Sequence, residues 1–164
     1  MLVPAILYKD QLTKAFSEVM YTDNYFYYNG YGYCHTLPEL KIQDNVFQYA
    51  CITDDFNTVV GYFAYTINPE IDTVWQFGAY SFSEKNAIFG KDVLAEMKRL
   101  IKEHRRVEWR MISGNPVQPV YDRLCKHYGG NKVVLHDVCK DNHGKFHNEY
   151  IYEILRDYYV RQEF

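Results

Sequence analysis

Apolar residues recur along this chain with two different periods, and the changes of period divide it into elements. Leu12, Ala15, Phe16, Val19 and Met20 share one face at helical spacing, which predicts an amphipathic helix from about Lys9 to Met20. Gly30, Gly32 and Pro38 then mark an irregular stretch. From Val46 to Thr53 and from Val59 to Asn68, β-branched and aromatic residues dominate. Asp54, Asp55 and Asn57 separate the two runs as a hairpin turn would. A third strand from about Thr73 to Phe82 follows Asn68-Pro69, and Gly78 inside it signals a bulge or a close backbone approach. A further strand over Val3 to Leu7 would complete the set at the N-terminal end.

The period then lengthens again. Val93, Met97, Leu100, Ile101 and His104 fall on one face while Lys98, Arg99 and Lys102 lie off it, predicting a helix from about Phe89 to His104. Arg106 to Ile112 reads as a strand. Ser113-Gly114-Asn115-Pro116 ends it and opens another helix with a proline near its first turn. Val117, Val120, Tyr121, Leu124, Cys125 and Tyr128 make that helix's buried face, and Gly129-Gly130 stops it. Lys132 to Lys140 and Phe146 to Arg156 form a closing hairpin around Asp141-Asn142-His143-Gly144. With no repeat and no linker, residues 1–164 read as one domain with one topology.

Composition narrows the picture. A chain of 164 residues with 48% hydrophobic content can bury one core. A formal charge of -3 gives no global pull toward nucleic acid or an anionic membrane. Met1 to Leu7 is too short for a signal segment, and no stretch approaches a membrane span, so a cytoplasmic protein is expected. Cys34, Cys51, Cys125 and Cys139 are widely spaced and read as reduced thiols. Seventeen tyrosines and ten phenylalanines are the compositional anomaly. Their densest cluster, Tyr21, Tyr25, Phe26, Tyr27, Tyr28, Tyr31 and Tyr33, reads either as a loop pinned on the core or as an aromatic ligand wall.

The order of elements resembles a divergent member of the GNAT superfamily, the acyl-CoA-dependent N-acyltransferases. That resemblance implies an α/β (α+β) fold: a mixed, mostly antiparallel sheet of six or seven strands flanked by helices, splayed between its fourth and fifth strands to admit acyl-CoA. If Val3 to Leu7 is the first strand, Thr73 to Phe82 becomes the fourth and Arg106 to Ile112 the fifth. The family joins the fourth strand to the next helix by Arg/Gln-x-x-Gly-x-Gly/Ala, whose amides wrap the cofactor pyrophosphate. Lys85, Asn86, Ala87, Ile88, Phe89 and Gly90 occupy that stretch here, with Lys91 adjoining. A helix N-terminus suits phosphate because its first amides are unpaired and its dipole end is positive. Ile88 stands in place of the first glycine and Lys85 in place of Arg or Gln, so Gly90 alone fits closely. Lys98, Arg99, Lys102, Arg105, Arg106 and Arg110 make this half locally basic without being named as ligands.

The same resemblance assigns Asn115 to cofactor contact and Tyr121 to protonation of the leaving thiolate. Backbone N–H groups near Tyr80 and Phe82 would hold the pantetheine arm and polarise the thioester carbonyl. Asp72, Glu70 and Glu84 are carboxylates near that strand, but no spacing rule selects a base among them. The implied co-substrate is acetyl-CoA or another acyl-CoA. The implied acceptor is an amine on a small molecule, peptide or protein, and a non-catalytic GNAT-like binding or regulatory module is the alternative. Tyr25, Tyr28, Tyr31 and Tyr33 could line an acceptor cleft, and Tyr150, Tyr152, Tyr158 and Tyr159 could form a homodimer face. Cys125, His127, His136, Cys139, His143 and His147 hold soft ligand types without a Cys-x-x-Cys knuckle. On a regular strand His136 and Cys139 would face opposite sides, so no metal site is assigned.

Overall fold

A computed structural model of the chain describes residues 1–19, 39–40, 42–83, 86–141 and 143–156. Seven strands form one sheet in the order β1-β2-β3-β4-β5-β7-β6. They are β1 (Leu2–Pro4), β2 (Val46–Ile52), β3 (Val59–Asn68), β4 (Thr73–Ser81), β5 (Arg106–Ile112), β6 (Asn131–Lys140) and β7 (Phe146–Leu155). The helices are α1 (Lys9–Val19), α2 (Ala87–Glu103) and α3 (Gln118–His127). Every strand pairing is antiparallel except that of β4 with β5. Among the described residues no helix is long and apolar enough to cross a membrane.

Alternation along the strands builds two cores on opposite faces of the sheet. Cys51, Phe63 and Tyr65 point to one face, where they join Val107, Trp109 and Met111 under α2 and α3. Ala50, Ile52, Tyr62 and Tyr80 point to the other, under Leu12 and Phe16 of α1. In α2, Phe89, Val93, Met97, Leu100 and Ile101 are buried, a stripe of helical period. Each such side chain contributes roughly 1.5–3 kcal/mol by leaving water.

Several boundaries and irregularities depart from the sequence pattern. The first strand covers only Leu2–Pro4; Ala5–Tyr8 turns into a 3-10 helix instead of extending to Leu7. Pro4 has no N–H to continue a ladder, and Ala5 is buried beneath the turn. The bulge in β4 lies at Gln76-Phe77 rather than Gly78, because Ala64 pairs with Gly78 while Thr66 pairs with Trp75. Gln76 takes a φ of 54°, and its side-chain oxygen accepts a 3.0 Å bond from Thr66 Oγ1. Gly78 serves a different purpose: a β-carbon there would lie 3.2 Å from the Tyr80 ring. Pro116 precedes α3, and Pro119 is the proline in its first turn. Strand β6 also bulges between Leu135 and Cys139, with Asp137 at a φ of 55°, so the regular alternation expected for His136 and Cys139 does not apply.

Candidate functional site

The two parallel strands part almost as soon as they meet. Thr73 pairs with Arg106 and Val74 with Val107, and there the β4–β5 register ends. Beyond that seam β4 stays on β3 and β5 stays on β7, leaving a V between them. Because β4 and β5 run the same way, their C-terminal ends lie on the open side of the V. The helices that follow them, α2 and α3, therefore both begin there. In open α/β sheets such a crevice beyond the carboxyl ends of strands is the natural ligand site, and two helix N-termini add positive dipole ends.

On the β4 wall, backbone direction is fixed by the ladder. The Phe82 amide donates to Val60 O at 3.1 Å, so it is spent within the sheet. Tyr80 shares its parity opposite Tyr62, and alternation turns the amide of Ala79 away from β3 and into the V. The Tyr80 side chain is buried in the α1 core, while Phe82 packs beside it. Ala79, not named from the sequence, is thus, with Ser81 of the same parity, a residue whose N–H β4 turns toward the opening.

At the head of α2, Asn86 is the N-cap: its Oδ1 accepts from the Phe89 amide at 3.0 Å and its Nδ2 donates to Ser83 Oγ at 3.0 Å. Ala87, Ile88, Gly90 and Lys91 are exposed around this first turn. A β-carbon on Gly90 would meet nothing within 4 Å, so there is open room beside the turn. Phe89 is different. Its ring is buried against Gly61, which makes it an anchor for the helix. Lys85 lies outside the described residues, as do Glu84 and the aromatic cluster from Tyr21 to Tyr33.

On the β5 wall, Asn115 closes the turn into α3, its Oδ1 accepting from the Val117 amide at 3.0 Å. Tyr121 sits one turn into α3 with its ring edge-on to Trp109 at 5.7 Å and to Tyr152 at 6.0 Å. Burial pushes its phenol up to about 12, which keeps it protonated at neutral pH. Such a group can donate a proton but does not supply a base.

Of the other charged candidates, Asp72, Arg99 and Arg106 are already engaged. Asp72 binds His104 Nδ1 and the Arg105 amide, each at 2.7 Å, and so ties the closed end of the V. These bonds hold its carboxyl below the usual range. Arg99 is bound by Glu96 and Glu103, and Arg106 by Glu108 and Glu153. Much of the basicity of this half is thereby neutralised locally. Cys51, Cys125 and Cys139 are free thiols, raised by burial, while Cys34 lies outside the described residues. Among the described residues no three His, Cys, Asp or Glu side chains gather as metal ligands. A concavity of about 230 Å³ opens at the far edge, between Pro4, Ile6, Ile42 and Phe47, away from the V.

Two groups in this half went unnoticed in the sequence. Trp109 Nε1 and Glu149 Oε2 are buried without a hydrogen-bond partner. Glu149 is only 1% exposed, opposite Ile112 on β7, and its nearest cation, Arg110 Nη1, is 4.0 Å away. Glu149 occupies the polar register of its strand and reads as a surface residue, so only the pairing of strands reveals it.

A seven-stranded sheet parted between a parallel β4 and β5, with a bulged β4 and a helix starting at its end, defines the GNAT fold class. Solved structures share it. The chain superimposes on a probable acetyltransferase of the GNAT family from Chromobacterium violaceum with a TM-score of 0.61, 15% identity, and 98% of this chain and 83% of that one covered. A GCN5-related N-acetyltransferase from Brucella melitensis gives 0.62, 16%, 97% and 76%. The ribosomal-protein-S18-alanine N-acetyltransferase from Escherichia coli gives 0.52, 9%, 69% and 70%. Neither a scan against protein-family models nor a search of curated proteins finds a match to the sequence. The protein has the GNAT fold, carried by a sequence far diverged from these structures.

Proposed function

We propose that residues 1–164 form one cytoplasmic acyl-CoA-dependent N-acyltransferase domain that moves an acyl group, acetyl in the first instance, to an amine of a small molecule, peptide or protein. The observation that carries this reading is the V between β4 and β5, opening toward the N-termini of α2 and α3. The Ala79 amide would hold the pantetheine arm or polarise the thioester carbonyl. Ala87 and Ile88 would leave amides, and Gly90, whose own amide donates to Asn86 O at 3.1 Å, would leave space for the pyrophosphate, with Lys91, and Lys85 from the preceding stretch of sequence, as counter-charges. Asn115 would contact the cofactor from the other wall. Acyl transfer then needs stabilisation of the oxyanion and a proton for the departing thiolate, and Tyr121 is the group suited to give it.

One observation favours the second reading, a GNAT-like module that binds without turning over. Asn86 occupies the Phe89 amide and Ile88 replaces a glycine, so the phosphate loop is partly self-satisfied. Thermal shift with acetyl-CoA, with adenosine diphosphate as the phosphate control, separates the outcomes when joined to a thiol-release assay. Saturation at 100 times the dissociation constant stabilises the native state by about 2.7 kcal/mol. Stabilisation with thiol release supports the enzyme; stabilisation without release across an amine panel supports the binding module; no stabilisation removes both.

A further inference from the structure

Buried polar atoms without partners are rare in folded chains because each forfeits the hydrogen bonds water gave it. Among the described residues the two such side-chain atoms lie on the paired strands β5 and β7, on opposite faces of the sheet. Trp109 of β5 points to the α2–α3 face, where Tyr121 also sits. Glu149, paired with Ile112 of β5, points to the opposite face with Arg110. Both lie beyond the seam at Val74 and Val107, where β4 has left. The face under the helices thus holds donors, an indole N–H and a phenol, and the face behind it holds an acceptor carboxylate. Transfer of an acyl group to an amine requires the same separation: donors where charge builds on oxygen and sulfur, and an acceptor where the amine sheds its proton.

We propose that Glu149 receives the ammonium group of the acyl acceptor on the face of the sheet opposite α2 and α3 and takes up its proton, an assignment that rests on the acyltransferase reading. The groups that face Glu149 fit this role. Ile112 of β5 and Leu135 of β6 are its apolar strand partners. Arg110 of β5 is 4.0 Å away, too far for a hydrogen bond, and also reaches Glu108. Burial first, and then the Glu149 charge, push up the thiol of Cys139 on β6. His147 is held by Asp141 at 2.9 Å. A primary ammonium brings one charge and three N–H donors, which the orphaned oxygen lacks. Burial raises the Glu149 carboxyl and Arg110 draws it down, leaving it a better proton acceptor than an ordinary glutamate.

The step balances. The acceptor's N–H bond breaks, its proton goes to Glu149, and the freed electron pair attacks the thioester carbonyl. The C–S bond then breaks and the thiolate takes a proton from Tyr121; the second proton that the acylated nitrogen must shed returns through water to the Tyr121 oxygen, and Glu149 releases its own proton to solvent.

The test uses n-butylammonium as the probe and n-butanol as its neutral counterpart, titrated into the full chain with coenzyme A present and followed by NMR. The wild type is expected to prefer the cation by at least tenfold, and to lose that preference as pH falls through the Glu149 carboxyl. Glu149→Gln should abolish the preference while leaving stabilisation by acetyl-CoA unchanged. Equal cation binding by the variant, or no preference in the wild type, overturns the proposal. A variant-free measurement guards against a folding defect: in 13C-glutamate-labelled wild type, the carboxyl resonance that titrates above the others must move on adding n-butylammonium, and a fixed resonance overturns the proposal. Failure of acetyl-CoA to stabilise either protein would instead strike the acyltransferase reading, which the cation titration does not measure.

Discussion

A β-carbon on Gly61 would lie 2.3 Å from Cδ2 of Phe89 and 2.8 Å from the Tyr80 carbonyl oxygen. The missing side chain in β3 is therefore what lets α2 seat its first turn against the sheet. Gly61→Ala must displace either the helix or the β4 backbone. We expect a loss of roughly 1–3 kcal/mol, the usual range for overpacking, in chemical denaturation. A variant as stable as the wild type would mean that α2 is not seated on Gly61.

The Tyr121 ring is held edge-on by Trp109 and Tyr152. Tyr121→Phe keeps the ring and removes the proton. Thiol release should fall by about 10²–10⁴ if the phenol is the general acid, with stabilisation by acetyl-CoA retained. An unchanged rate would leave Tyr121 as a packing residue.

Asn86 caps α2 at the same place where phosphate would bind. Asn86→Ala should cost the ligand-free protein about 1 kcal/mol, read as a lower melting temperature. Saturating acetyl-CoA should narrow that deficit, because phosphate can then satisfy the Phe89 amide. A deficit of equal size with and without acetyl-CoA would show that the cofactor does not reach this turn.

The β6–β7 turn is held by Asp141, which accepts from the His143 and Lys145 amides at 2.9 Å each and pairs with His147. The His147 bond, then the backbone amides, hold its carboxyl down at about 2. A depressed carboxyl stabilises the fold above its unfolded value and loses that contribution as pH falls through the folded one. Stability should therefore decline between about pH 4 and pH 2, and Asp141→Asn should flatten that decline in melting curves taken across the range. A slope identical to the wild type would assign the acid sensitivity elsewhere.

Legibility in the sequence followed range. Periodicity located β2, β3, β4 and β5 and all three helices, because each buries a stripe or an alternate row that local spacing records. It misplaced what depends on neighbours: the β4 bulge is set by Thr66 holding Gln76, not by the conspicuous Gly78, and the first strand stops at Pro4 because Ala5 must turn inward. In the candidate site, Asn86 to Lys91 and Tyr121 were named through the resemblance, and their roles stand as proposals. Ala79 was missed because its amide matters through ladder parity, which has no sequence mark. Glu149 was missed because a glutamate among alternating polar positions looks solvated until β5 and β6 close around it.

The seam at Thr73–Arg106 and Val74–Val107 makes the sheet mechanically two plates, β1–β4 and β5–β7–β6, with little backbone bonding to stiffen the joint. Their relative angle is set chiefly by side chains beneath α2 and α3, which deform more softly than a ladder. A molecule seated in the V would act as a strut between the plates. Its arrival should register as slowed amide hydrogen exchange at the rims of both, in residues it never touches.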